Sequence, residues 1–180
     1  MAVRIRVSLL DVAAEALVAD PSASLAEVAM AAGIGRTTLH KHYATRDDLI
    51  RAVGHRALDL WEQALSGISN ADPDGGLQAV VAAMIPIGPQ LAFMWRTPSF
   101  DRDKEFMARE KEVVDQVVAV LKRAQDCGVL AADAPDWWLL QTFYALIYVG
   151  ADAVSTGYLA PRDAPDRVMR MFLHGIGAQQ

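Results

Sequence analysis

Residues 24–49, SLAEVAMAAGIGRTTLHKHYATRDDL, decide the fold. Ser24 and Glu27 stand three apart, the spacing at which each side chain satisfies a free backbone N–H of the other and opens a helix. Leu25, Val28, Ala29 and Ala32 fall on one face of that helix. Gly33 stops it after little more than two turns, because glycine readily takes the left-handed conformation that ends a helix. A short helix over residues 36–43 follows at once, and Thr45 with Asp48 repeats the capping box to open a third. Ala29 and Ala32 let the first two helices approach closely, while Ile34 and Leu39 fill the space between them. The second helix is then exposed along one side, and an exposed helix fits the major groove of B-DNA.

The residues expected on that side suit DNA better than a core. Arg36 can bond a guanine edge or a phosphate, and Thr37 and Thr38 offer hydroxyls to phosphate and methyls to thymine. Lys41 and His42 fall where the backbone would pass, His40 meets a phosphate or reads a base, and Tyr43 either joins this set or serves packing, as His42 also serves to cap the helix end. Thr45, Arg46 and the N–H groups of the next helix add a phosphate site. The overall charge of −5 does not oppose this. Residues 1–52 hold six Lys/Arg and six Asp/Glu, so the whole deficit lies beyond them, and residues 30–46 contain no acid at all. A local positive patch matters to DNA more than the total does.

Outward from this motif the chain reads as all-α. An amphipathic helix over residues 3–19 precedes it, with Val7, Leu10, Ala14 and Leu17 inward. A long helix over 45–67 follows, striped by Leu49, Val53, Ala57, Leu60, Trp61, Ala64 and Ile68, and then a loop over 70–76. Helices are expected over 77–85 and 91–96, separated by a break at Pro86-Ile-Gly-Pro89 and ended by another at Thr97-Pro98. A helix over 103–126 closes at Gly128. The next, over 135–156, is apolar nearly all round and calls for protein on both faces. The last starts near Pro165 and carries Val168, Met171, Phe172, Gly175 and Ile176. The expected division is a helix-turn-helix domain over residues 1–50 and a helical bundle over 51–180, cut inside the long helix.

An apolar share of 53% against 22% charged excludes a disordered chain. Cys127 is the only cysteine, so no internal disulfide forms and a reducing, cytoplasmic setting is expected. Asp11 and Glu15 interrupt the N-terminus before a secretory run develops, and residues 137–149 are too short to span a bilayer. A soluble protein with no membrane partner is expected. His40 and His42 point in different directions on a helix and His55 and His174 are isolated, so no metal site is read, and no catalytic constellation or cofactor motif is found. The run Asp72-Pro-Asp-Gly75 lacks the spaced ligands of a calcium loop and reads as a surface turn.

At Ser24, Val28-Ala29, Ala32-Gly33-Ile34, Thr38-Leu39, His42-Tyr43, Thr45-Arg46-Asp47 and Leu49, the segment resembles the helix-turn-helix of the TetR family of transcriptional regulators. It departs at Gly35, where a serine cap is usual, and at His40, where tyrosine is usual. The resemblance implies a homodimer formed by the last two helices, here residues 134–156 and 166–176, with two recognition helices about 34 Å apart on a palindromic operator. It implies a small-molecule effector bound in the helical body, with repression as the family default and no enzyme activity. Trp61, Met84, Phe93, Trp95, Phe106 and Tyr144 supply aromatic and soft apolar surface for an apolar or aromatic effector, with Arg96, Gln141 or Tyr144 as polar contacts. The same residues also serve as ordinary core. Two alternatives stay open at this level: a helical sensor that keeps the helix-turn-helix shape without binding DNA, and a helical enzyme working in the same pocket.

Overall fold

The computed structural model describes residues 8–68 and 73–176, and every regular element among them is helical. Helix α1 spans Leu9–Ala19, α2 Leu25–Ala31, α3 Arg36–His42 and α4 Arg46–Leu65. Then follow α5 (Pro73–Met84), a 3-10 turn (Ile85–Ile87), α6 (Gly88–Trp95), a 3-10 segment (Pro98–Arg102), α7 (Lys104–Asp126), α8 (Asp136–Ser155) and α9 (Ala164–Ile176).

Both expected capping boxes form, Ser24 with Glu27 and Thr45 with Asp48. Gly33 sits at φ +65°, where Gly33 N–H bonds the Met30 carbonyl and Ile34 N–H that of Ala29, so two of the carbonyls that α2 would leave open are satisfied. Three expectations need correction. Helix α1 starts at Leu9 instead of residue 3, because Ser8 takes an extended conformation and forms a capping box with Asp11; Val7 lies outside the described residues. Helix α5 starts at Pro73, inside the stretch expected to be loop, since proline is preset for a first helical turn where no N–H is needed. The Pro86–Pro89 stretch is no open break: each proline occupies the first turn of a new helical segment and the chain runs on. The run Gly76–Trp95 is apolar and long enough to cross a membrane by composition, but 61% of it is buried inside this fold.

A single apolar core extends from Ala13 to Phe172. Helix α4 carries Leu49 and Val53 under the helix-turn-helix and Ala57, Leu58, Trp61 and Leu65 into the body. Helix α6 packs on α1, α4 and α8 together, and α8 pairs with α9. Three crossings depend on glycine. A Cβ at Gly88 would lie 2.1 Å from the Ala151 Cβ, one at Gly150 2.6 Å from Val168 Cγ2, and one at Gly54 2.3 Å from Phe100 Cζ. The Phe100 ring that covers Gly54 also stacks on Phe106, with centroids 4.4 Å apart. Helix α8 is not covered all round within one chain: Trp137, Trp138 and Val149 are 68%, 55% and 60% exposed.

Gly54→Ala should cost about 1–3 kcal/mol of stability through overpacking against Phe100. Gly67→Ala, with nothing within 4 Å of its would-be Cβ, should be neutral or stabilising by up to about 1 kcal/mol. Urea unfolding of the two variants side by side measures the contrast, and equal losses would refute the steric account.

Candidate nucleic-acid interface and ligand cavity

Helix α3 is held by one side chain. Leu39 is fully buried, whereas Arg36, Thr37, Thr38, His40, Lys41 and His42 are all exposed, so the helix offers its whole outer side. No side chain caps its N-terminus at Gly35. Arg36 Nε lies 3.5 Å from His40 Nε2 one turn on, which places two basic-type groups on a common strip. Tyr43 is half-buried beneath His42 and packs against the core.

Two expected phosphate contacts are otherwise engaged. The Arg46 guanidinium folds back across the motif, its Nε donating to the Ala23 carbonyl at 3.0 Å and an NH2 to that of Pro21. It therefore ties the start of α4 to the turn before α2. At Thr45, the backbone N–H is bonded by Asp48 and the hydroxyl closes the cap, leaving fewer free N–H groups at the α4 N-terminus than expected.

In the body, a cavity of about 590 Å³ opens between α6, α7 and α8. Of the eight residues expected to meet an effector, it brings together Trp95, Arg96, Gln141 and Tyr144. Trp61 stands behind this wall, edge-on to Trp95 and Tyr144 at centroid distances of 6.1 and 5.8 Å. Met84 and Phe106 are core residues, and Phe93 borders a separate crevice beside Arg46. The cavity also takes in Tyr148, and with it Glu110, Val114 and Leu140, which sequence reading did not place there. Periodicity on α7 puts Glu110 one turn before Val114, but its run, AREKE, is indistinguishable in sequence from a solvated face.

Arg96 closes one side, its guanidinium 4.8 Å above the Tyr148 ring and bonded to that hydroxyl. A second cavity of about 550 Å³ lies across this latch, lined by Glu15, Val18, Ala19, Gly88, Pro89 and Asp152 among others, so α1 and α8 share it. Behind α7, Arg109 binds Glu62 and Asp59 of α4, at 2.9 and 2.7 Å, and these bonds push its pKa above the ordinary arginine value. Among the described residues no group of three His, Cys, Asp or Glu could hold a metal.

Over 178 residues the chain is 33% identical to the HTH-type transcriptional repressor LfrR of Mycolicibacterium smegmatis, covering 96% of this chain and 90% of that protein. It is 28% identical over 172 residues to the HTH-type transcriptional regulator NfxB of Pseudomonas aeruginosa, covering 93% and 91%. The crystal structure of the TetR-like regulator LfrR from Mycobacterium smegmatis in complex with proflavine superposes with a TM-score of 0.75, at 31% identity over 93% of both chains. The ketosteroid regulator KstR2 of Mycobacterium tuberculosis, at 20% identity and TM-score 0.69, shares the fold. No family model matches the chain.

Arg46→Ala should lower stability by about 1–3 kcal/mol, since it strips charged hydrogen bonds from two carbonyls. Arg36→Ala and Lys41→Ala should leave stability within about 0.5 kcal/mol, as exposed substitutions do. Urea melts of the three variants check this, and an Arg46→Ala protein as stable as its parent would remove the clamp.

Proposed function

The chain belongs to the TetR family of transcriptional regulators, and on that premise we propose that it is a repressor which a small, planar, aromatic effector releases from a palindromic operator. It is a transcriptional regulator and not an enzyme. The observation that carries the proposal is the position of α6. Its C-terminal end supplies Trp95 and Arg96 to the cavity, while its flank packs on α1 of the helix-turn-helix.

The DNA-reading unit is residues 1–50, with Arg36, Thr37, Thr38, His40, Lys41 and His42 as the groove-facing set. Tyr43, Thr45 and Arg46 shape and brace it from the side. The sensing unit is residues 51–180, in the reducing cytoplasm. An aromatic ligand slotted beside Trp95 and Tyr144 displaces α6, and α1 and α4 follow because both pack on it. Trp61 of α4, touching both rings, gives the long helix a direct share of the movement. A ligand shifts such an equilibrium only by its differential affinity for the two arrangements. LfrR has been crystallised with proflavine, and proflavine is the first effector to try here.

Homodimerisation through α8 and α9 would set the spacing of the recognition helices. Trp138, Ala145 and Val149 fall in one line on α8 at spacings of seven and four, all exposed, and Met171 of α9 is 64% exposed. An apolar row of this kind needs cover.

Selection from a random duplex library should yield an inverted repeat whose affinity falls steeply with salt, and adding proflavine should release it. Arg36→Ala and Lys41→Ala should each reduce the slope of log affinity against log salt by about 1. No enrichment at low salt would overturn the DNA-binding role. Val149→Glu should convert the dimer to monomer in sedimentation and cost operator affinity; an unchanged dimer would place the interface elsewhere.

A further inference from the structure

Glu110 is the single carboxylate among the residues lining the α6–α7–α8 cavity, and the surfaces around it are the rings of Trp95, Tyr144 and Tyr148. It is half-buried and makes no hydrogen bond or ion pair with any described residue. Its neighbour in sequence, Arg109, is committed to Asp59 and Glu62. The other charge on the wall, Arg96, lies exposed at the rim and is engaged with Tyr148. Water screens a rim charge far more than a half-buried one, so the field inside the cavity is set by Glu110. Burial, and secondarily the Asp101 carboxylate, push the Glu110 carboxyl above its ordinary value, so its protein surroundings solvate this charge poorly. Tyr144, 8% exposed, holds a hydroxyl with no hydrogen-bond partner at the same wall.

We propose that the ligand of this cavity is a planar aromatic cation, selected by Glu110 as its counter-charge and hydrogen-bonded by the Tyr144 hydroxyl. The inference rests on the reading of the cavity as the effector site. A cation gains twice, from the carboxylate and from the aromatic surface that Trp95 and Tyr144 lend the wall. A neutral aromatic of the same shape leaves Glu110 desolvated and unpaired, and an anion meets repulsion. The selection therefore comes as much from what the wall penalises as from what it attracts.

The test uses the full chain, calorimetric titration and two probes of one shape: 9-aminoacridine, a cation at mildly alkaline pH, and acridine, uncharged there. The parent protein should prefer the cation by about tenfold or more, and Glu110→Gln should collapse that ratio by about tenfold. Arg96→Gln, removing a repelling charge, should raise the ratio. Glu110→Gln should also melt at or above the parent temperature, because it deletes a poorly solvated charge. Equal affinity for the two probes, unchanged in Glu110→Gln, would overturn the charge selection and leave the effector site standing. Failure of both probes to bind the parent would overturn the two readings together.

Discussion

Helix α6 can lie where it does only because residue 88 has no side chain. With Gly88 against Ala151, the backbone of α6 settles directly on α8. That approach draws Trp95 and Arg96 over the cavity mouth and presents the opposite flank of α6 to α1. The same device recurs where Phe100 covers Gly54 and where Val168 meets Gly150. Missing side chains thus fix the angles at which the body helices cross, and the larger aromatic residues fill what remains.

Electrostatics then divides the molecule. The helix-turn-helix is neutral over residues 1–52, with its bases gathered on an acid-free stretch. The body carries the excess of acids, and much of it is spent between helices. Arg109 joins α7 to Asp59 and Glu62, while His55 and Arg51 of α4 approach Asp103 from the other side. Asp103 is itself held below its ordinary value, first by the Phe106 N–H that it caps. These links stiffen the α4–α7 seam beside the cavity.

Local signals in the sequence carried most of the fold. Caps and glycine stops act within four residues, so Ser24 with Glu27, Gly33, and Thr45 with Asp48 could be read directly. Ser8 with Asp11 bears the same signature, yet the apolar run on both sides of it masked the start of α1. Pro86 and Pro89 signalled interruption, but whether a proline opens a gap or a new turn depends on what packs over it. The candidate sites were less legible for a related reason. Exposure of α3 follows from its spacing, but the Arg46 clamp joins a side chain to carbonyls 23 and 25 residues away, and backbone carbonyls leave no mark in a sequence. Trp61, Met84, Phe93 and Phe106 have the same composition as cavity residues and differ only in which way the helices turn them. Glu110 looks like any solvated glutamate until Leu140 and Tyr144 arrive beside it.

The core that runs unbroken from Ala13 to Phe172 has a thermodynamic consequence. Among the described residues no seam in the packing separates the helix-turn-helix from the body, and a continuous core of this kind favours unfolding as one cooperative unit that includes α1. Free energy released anywhere in the body is then shared by the recognition helix. A small molecule seated among Trp95, Tyr144 and Tyr148 would raise the melting temperature of residues it never touches, and a cavity-forming substitution at Trp61 would lower the fraction of folded chains without altering a single residue of the recognition helix.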